Sequence, residues 1–379
     1  MKKNNFFKAL ATLIGTIIGV GLFSLPYITS KVGIWTMLSY FLILGTVTIL
    51  INFIYGEIVL RTKKSYRLPG YAGKYLGKWA KRIVFLSNGL GLSGALLAYL
   101  VIGGSFLFSL FGPVFGGNYY FYVLVTFSIG ALLIFFGIKS IARAESFLLI
   151  FFFFVLIFIF KKSFPVIEIN NLFNFNLSDI FLPYGAILFS ISGATLIPEV
   201  KEMLGKNSKS LRKVIFFSVL ISILVYLFFI LIVTGITGQD TSQDAISGLK
   251  NVLSNGVVAL ALVFGFLTVF TSFLTIGLTL KKILWYDMGI KKNLSWALAC
   301  FVPLILFFLG LNNFITIISL VGGVFIGVDV TMMILTYLKA KKHGDLEPVY
   351  SLNLPRFLVY SLILFFILGA AYEIYYFIG

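Results

Sequence analysis

Long apolar runs separated by short charged clusters organise the whole chain. Each run has about 20 residues, the length of a helix that crosses the hydrocarbon core of a bilayer. The pattern predicts an all-α integral membrane protein of eleven transmembrane helices, called spans one to eleven, near residues 9–30, 33–56, 83–111, 119–138, 141–160, 179–200, 214–238, 255–280, 293–310, 313–338 and 356–378. Since no polar linker divides the chain, we expect one transmembrane domain over residues 1–379.

Lysine and arginine are concentrated on one side of these spans. If the N-terminus is cytoplasmic, only four of the 30 basic residues lie on the opposite side: Lys31, Lys161, Lys162 and Lys250. Cytoplasmic loops of membrane proteins carry such an excess. We therefore predict a multi-pass protein of the plasma membrane with its N-terminus inside and its C-terminus outside. The two faces are called the inner and the outer side below.

Composition supports the membrane class and excludes others. The mean hydropathy is +1.05, and 11% of residues are charged, whereas a soluble domain is about one quarter charged. The net charge of +17 is explained by orientation and by contact with anionic membrane lipid, and it requires no nucleic acid. A single cysteine, Cys300, and a single histidine, His343 in a charged loop, argue against an intrachain disulfide, a histidine metal site and an intramembrane enzyme.

Short polar elements are expected beside the spans. We predict an amphipathic interfacial helix within 61–82 and a short outer helix within 237–251. Glu57 and Arg61 are spaced as an interfacial ion pair. Arg143 and Glu145 open span five and are expected at the interface, and Glu199 is a candidate for an inner gate with a cytoplasmic base.

Spans one and six share a pattern that breaks a helix. Gly21–Pro26 and Gly193–Pro198 both read Gly-x4-Pro at the middle of a span, and glycine and proline both disfavour helix interiors. The two spans run in opposite directions, which indicates an inverted repeat with discontinuous helices. We predict repeats of five spans each, about 7–162 and 178–340, with an extra helix at about 355–378. The alternative is that glycine and proline are simply more frequent in transmembrane helices.

A break at the middle of a membrane implies a polar cavity, because lipid leaves backbone groups unsatisfied. The outer half of span one, predicted to begin near Phe23, would present N–H groups that suit a carboxylate. The carbonyl groups freed at the end of the inner half would suit an ammonium or a sodium ion. An α-amino acid carries both complementary charges.

The stretches GTIIGVGLFSLPY (15–27) and FSISGATLIPEV (189–200) resemble the amino acid–polyamine–organocation superfamily. The eleven spans resemble most its amino acid/auxin permease and hydroxy/aromatic amino acid permease branches. The resemblance implies the leucine-transporter fold, with substrate between spans one, three, six and eight. It implies that substrate is held by the backbone of Gly19, Val20 and Gly21 and by Phe189, Ser190, Ser192 and Gly193, with Thr16 and Thr195 beside the breaks and Tyr99 over the substrate. Thr16 and Thr195 can equally bond their own helices.

Two ion-coupling sites remain open. Thr268, Thr271 and Ser272 share one face of span eight, where sodium-coupled relatives place hydroxyl ligands; the resemblance adds the carbonyl groups of Gly15 and Ile18. The alternative is that these hydroxyls bond neighbouring helices. Asp329 lies near the middle of span ten, where a carboxylate is costly and usually functional. It is a candidate proton carrier or a structural acid.

These features predict a secondary transporter that moves a neutral, aromatic or bulky L-amino acid by alternating access, driven by sodium or a proton. No fixed charge is expected in the cavity from spans one, three, six or eight, which disfavours cationic substrates. An exchanger or uniporter without ion coupling and a transporter-like amino acid sensor remain as alternatives, and a channel is disfavoured because no charged ring or filter is visible.

Overall fold

The computed structural model describes residues 2–137 and 141–378, and in these residues the regular structure is entirely helical. Fourteen α-helices occur in the described ranges: α1 (Lys2–Ile17), α2 (Leu25–Arg61), α3 (Leu68–Leu76), α4 (Lys78–Phe115), α5 (Tyr119–Phe136), α6 (Ile141–Ser163), α7 (Pro183–Ile191), α8 (Ile197–Leu204), α9 (Leu211–Thr237), α10 (Asn255–Lys282), α11 (Lys292–Phe308), α12 (Phe314–Leu320), α13 (Ile326–His343) and α14 (Arg356–Ile378). Seven helical segments of the described chain are long and apolar enough to cross a membrane.

Helix α2 contains the end of span one and all of span two. Its direction changes at Gly33, which has φ 76° and ψ 162°. A side chain there would also collide with the backbone of the segment between α6 and α7, since an ideal Cβ lies 2.4 Å from the carbonyl oxygen of Asn174. Glycine is therefore required by conformation and by space.

The short elements follow the polar stretches. Helix α3 is the predicted amphipathic piece between spans two and three, and it packs against α4 and α13. The outer stretch after α9 contains two 3₁₀ turns, Gly238–Asp240 and Ser247–Asn251, rather than one helix. The side chains at the start of α6, including the Arg143 and Glu145 pair, lie outside the described residues.

Glu57 has a larger structural role than an interfacial ion pair. Its Oε1 accepts a hydrogen bond from Arg61 Nε at 2.8 Å, but the Glu57 side chain is fully buried. The carboxylate also accepts hydrogen bonds from the backbone N–H of Leu352 at 2.6 Å and from the Ser351 hydroxyl at 3.1 Å. Glu57 thus holds the segment that leads into α14 against α2.

The packing places both interrupted helices inside the bundle. Helices α4 and α10 make the most extensive contact, followed by α2 with α9, and α1 packs on α9 and α8. Helix α7 packs on a π-helical turn, Val321–Phe325, which interrupts span ten between α12 and α13. Non-helical backbone at membrane depth is tolerated only where protein or a polar cavity covers it, and both breaks meet this requirement.

Candidate functional site

Both predicted breaks occur, and prolines begin the helices that follow them. Helix α1 ends at Ile17, a 3₁₀ turn covers Val20–Ser24, and Pro26 is the second residue of α2. Helix α7 ends at Ile191, a 3₁₀ turn covers Ala194–Leu196, and Pro198 is the second residue of α8. Proline suits the first turn of a helix because its missing N–H would have no helical partner there.

The two breaks touch each other through a glycine. An ideal Cβ on Gly21 would lie 2.3 Å from Ser190 Oγ and 2.8 Å from Ser190 Cα. Since Ser190 Cα belongs to the backbone, it cannot move aside like the end of a flexible side chain. The absence of a side chain at Gly21 is thus what allows spans one and six to meet.

Tyr226 of α9 joins the two breaks and was not predicted from the sequence. Its hydroxyl oxygen lies 2.6 Å from the Ile17 carbonyl oxygen and 2.7 Å from the Ser190 carbonyl oxygen. Because a phenol has one hydrogen to donate, the two carbonyl groups share it. The only signal in the sequence is a tyrosine in a largely apolar span, and such tyrosines are too common in this chain to single it out.

A pocket of about 130 Å³ lies between the breaks. Nine of the residues predicted to hold substrate line it: Thr16, Gly19, Val20, Gly21, Tyr99, Phe189, Ser190, Ser192 and Thr195. The hydroxyl of Thr16 also donates to the Thr12 carbonyl group at 3.0 Å.

Phe23 and Gly193 do not line this pocket. Phe23 packs edge-on against Phe106 and Phe229, with ring centroids 5.1 and 6.0 Å apart. An ideal Cβ on Gly193 would lie 2.8 Å from Ile17 Cγ1. Gly193 therefore faces the apolar side of α1, and Phe23 faces an aromatic cluster.

Asp329 brings a carboxyl group into the pocket from span ten. It lines the pocket together with Asn88 of α4, whose Nδ2 donates to Asp329 Oδ2 at 2.6 Å. Asp329 Oδ1 is buried and has no hydrogen-bond partner in the described part of the chain. No fixed charge was expected in the cavity, because only spans one, three, six and eight were considered. Span ten supplies the carboxyl group, and its π-helical turn packs on α7.

The pocket continues towards the inner side. A second cavity of about 400 Å³ shares Thr16, Ser192 and Asp329 with it and extends to Arg67 and Glu199. Arg67 Nη2 lies 3.7 Å from Glu199 Oε1, which matches the inner pairing expected for Glu199. Beyond it lies a wider basic vestibule of about 1360 Å³, lined by Lys64, Lys74, Lys78, Lys81 and Arg82 among others.

The residues predicted to bind sodium lie apart from the pocket lining. Thr268 Oγ1 donates to the Phe264 carbonyl group and Thr271 Oγ1 to the Thr268 carbonyl group, each at 3.0 Å. Each of these hydroxyl oxygens keeps lone pairs for a cation. Neither they nor Ser272 line the pocket or the inner cavity, whereas Gly15 lines the inner cavity and Ile18 is buried.

Interrupted helices around a pocket at membrane depth are typical of multi-pass membrane transporters. The sequence model of the tryptophan/tyrosine permease family matches residues 2–373, and the chain belongs to that family. A search of curated proteins gives no significant match.

Solved transporters share the fold. MhsT in complex with L-phenylalanine superposes with a TM-score of 0.68 at 15% identity, covering 96% of this chain and 98% of MhsT. Mhp1 in an inward-facing conformation superposes with a TM-score of 0.63 at 14% identity, covering 87% of this chain and 76% of Mhp1. These likenesses support the leucine-transporter fold.

Proposed function

We propose that the chain is a secondary transporter that moves a neutral aromatic L-amino acid by alternating access, driven by a sodium or proton gradient. One observation carries the proposal: residues from both interrupted helices line a single pocket with Tyr99 and Asp329. The pocket and the inner cavity together fall in the size range of small-molecule sites, ~300–1,000 Å³.

The pocket offers complementary groups for a zwitterion. The backbone of Val20 and Gly21, in the turn between α1 and α2, is the proposed carboxylate site. The N–H of Gly19 already donates to the Ile17 carbonyl group at 2.8 Å, so substrate would have to replace that bond. The ammonium group is assigned to the carbonyl groups that end α7 and to Asp329 Oδ1, which has no partner in the described residues.

Aromatic side chains favour an aromatic substrate. Tyr99, Phe189 and Phe325 line the pocket, and aromatic rings pair favourably with one another. The family is named for tryptophan and tyrosine, and MhsT is a neighbour with L-phenylalanine bound. Within the superfamily we assign the chain to the side of the aromatic amino acid permeases.

We also propose that the helices make eleven crossings in a five-plus-five inverted repeat. Span one consists of α1 and the start of α2, and span six consists of α7 and α8. Span ten combines α12 and α13, and α14 is the extra helix. In the predicted orientation, the inner cavity and basic vestibule face the cytoplasm.

Asp329 supports proton coupling and the span-eight hydroxyls support sodium coupling, so both ions enter the test. A carrier without coupling and a sensor are the alternatives, and they differ in flux. Saturable uptake driven by one gradient favours the symporter, saturable exchange without a gradient favours the uncoupled carrier, and binding without flux favours the sensor.

Thermal-shift screening of purified protein against L-tryptophan, L-tyrosine and L-phenylalanine, with and without sodium, tests the substrate and the ion. A ligand that binds only the folded state raises its stability, by about 2.7 kcal/mol at 100 times Kd. If sodium couples, sodium increases the shift, and the Thr271→Ala/Ser272→Ala double variant loses that increase while keeping the sodium-free shift. If Asp329 holds the ammonium group or the proton, Asp329→Asn weakens the shift or removes its pH dependence. No shift and no uptake with any of the twenty amino acids would overturn the proposal.

A further inference from the structure

Glu373 is a buried carboxylate in a helix that otherwise lies at the edge of the bundle. Only 22% of the most apolar window of α14 is buried, yet Glu373 is 4% exposed. A carboxylate within a membrane span is costly and therefore usually has a function. The pocket between the breaks does not use Glu373.

The carboxylate binds the first turn of the outer half of span six. Pro183 has no N–H, and the N–H of Tyr184 donates to the Phe181 carbonyl group at 3.0 Å. The next N–H, that of Gly185, donates to Glu373 Oε1 at 3.1 Å. The N-terminal end of a helix attracts negative charge, so a charged Glu373 holds α7 more strongly than a neutral one.

Glu373 also packs into span ten. An ideal Cβ on Gly323, in the π-helical turn, would lie 2.2 Å from Glu373 Cγ. The side chain therefore fills space that only a glycine leaves open. One residue of α14 thus connects α7 with the turn of span ten, and both elements have residues in the pocket lining.

Glu373 can be reached from a cavity on the outer side. This cavity, of about 300 Å³, is lined by Glu373 and by Ser319. The Ser319 hydroxyl is buried and has no hydrogen-bond partner in the described residues. The lining of one cavity therefore holds both a carboxylate and a hydroxyl group that can interact with a proton donor or water.

The other charged and titratable groups near Glu373 lie on α2, on α7 and the turn before it, and on α14. Lys31, Tyr27 and Tyr40 belong to α2, Tyr184 to α7, and Tyr372 and Tyr376 to α14; Asp179 lies in the turn before α7. Lys31 lies over the ring of Tyr27 at 5.4 Å, and Asp179 accepts a hydrogen bond from Asn176. Neither forms an ion pair with Glu373.

We propose that Glu373 is a proton-binding site reached from the outer side, and that its protonation loosens the outer half of span six from spans ten and eleven. A proton from the cavity binds the carboxylate, which becomes neutral. The attraction to the first turn of α7 then weakens, and α7 separates more readily from spans ten and eleven. The inference rests on the proposed transport function, and it makes α14 a part of the transport mechanism.

Glu373→Gln separates this role from a purely structural one. The glutamine amide keeps an oxygen that can accept from the Gly185 N–H but cannot change charge. If Glu373 only caps α7, the variant keeps both the activity and the pH dependence of the original protein. If Glu373 binds a proton, the variant behaves at every pH as the protonated protein does. Asp179→Asn, in the same cavity, is the matched control.

The first readout needs no substrate. A Gln243→Cys reporter lines the outer cavity, and Cys300→Ser removes the native thiol. Labelling by a maleimide is measured in detergent between about pH 5 and 8, and the rate with Glu373 is divided by the rate with Glu373→Gln at each pH. Thiol ionisation cancels in this ratio. We expect the ratio to be well below one at pH 8 and to approach one as the pH falls. A ratio that does not change with pH overturns the inference.

The second readout is uptake into proteoliposomes of the aromatic amino acid that gives the largest thermal shift. We expect acid outside to stimulate uptake several-fold with Glu373, and the stimulation to be lost in Glu373→Gln but kept in Asp179→Asn. Uptake that stays equally pH-dependent in Glu373→Gln overturns the inference and leaves the transport function intact. Absence of uptake in the unaltered protein overturns the transport function, while the labelling ratio still decides the role of Glu373.

Discussion

The two approaches to the pocket are closed by different kinds of contact. On the outer side, Phe23, Phe106 and Phe229 pack edge-on, and Val20 and Leu22 are buried beside them. On the inner side, the pocket continues into a cavity that is crossed by the pair of Arg67 and Glu199 at 3.7 Å. One barrier is buried and aromatic, and the other is open and polar.

This difference indicates that opening the two barriers requires unequal amounts of free energy. Tightly packed aromatic rings lose many contacts when they separate. An exposed ion pair contributes little, about 0–1 kcal/mol. The described state is therefore closed outside and accessible inside, and the outer barrier carries most of the energy that a conformational change has to supply.

The largest effect is expected from Gly21→Val, which alters the contact between the two breaks. The new side chain would collide with the backbone of Ser190, separate the two breaks and fill the carboxylate site. We expect loss of the amino acid thermal shift and of uptake. Gly89→Val is the control, because an ideal Cβ there meets nothing within 4 Å. Full uptake by Gly21→Val would remove the pocket from the mechanism.

Phe106→Ala tests the outer barrier directly. The Phe106 side chain is fully buried, and such truncations cost ~3–5 kcal/mol. An outward-open state would not contain this cluster, so we expect the substitution to destabilise mainly the outer-closed state. The equilibrium would then shift towards a state in which the pocket is exposed to the outside. A Ser192→Cys reporter should be labelled faster by an external impermeant maleimide. Phe273→Ala, an equally buried ring on α10, should lower stability without this increase.

Tyr226→Phe removes the hydroxyl that the two breaks share. Leaving a buried carbonyl group without a donor costs about 1–3 kcal/mol, so we expect a lower melting temperature and slower uptake. Tyr337→Phe is the control, because its buried hydroxyl also donates to a carbonyl group, that of Leu352 at 2.7 Å, and this carbonyl group keeps a hydrogen bond from Lys341 Nζ at 2.9 Å. If both variants lose stability and transport equally, Tyr226 has no special role in joining the breaks.

Arg67→Ala tests the inner barrier, and a smaller effect is expected. Both side chains of the pair are more than one third exposed, so the loss of stability should be below about 1 kcal/mol. We expect somewhat faster labelling of a Thr12→Cys reporter in the inner cavity. A drop in melting temperature as large as that of Phe106→Ala would contradict the proposed difference between the barriers.

The smallest effect concerns Asp345, on the inner side after α13. Hydrogen bonds from the Lys74 ammonium group and from the Lys63 N–H hold the pKa of Asp345 below its usual range. A group whose pKa is lower in the folded state than in the unfolded state stabilises the fold at pH values above its unfolded-state pKa. This stabilisation is lost as the pH falls through the folded-state pKa. Below about pH 4, the melting temperatures of the original protein and of Asp345→Asn should converge, and a difference independent of pH would contradict this.

Local chemistry explains which features could be predicted. Each break is encoded by a glycine and a proline within a few residues, so Gly21, Pro26, Gly193 and Pro198 predicted interrupted helices at the right places. The residues next to the breaks had to lie close to the pocket. Phe23 was also assigned to substrate, and the family resemblance added Gly193. The packing of neighbouring helices turns the Phe23 ring into an aromatic cluster and Gly193 towards α1.

The sequence by itself determined the membrane class, the approximate spans and the position of the breaks, because apolar length, glycine and proline act within one segment. Only the tertiary structure decided that Asp329 enters the pocket, that Tyr226 joins Ile17 to Ser190, and that Glu373 reaches the first turn of α7. These contacts join residues that are far apart in sequence, and they depend on which helix face packs against which neighbour. No local pattern carries that information.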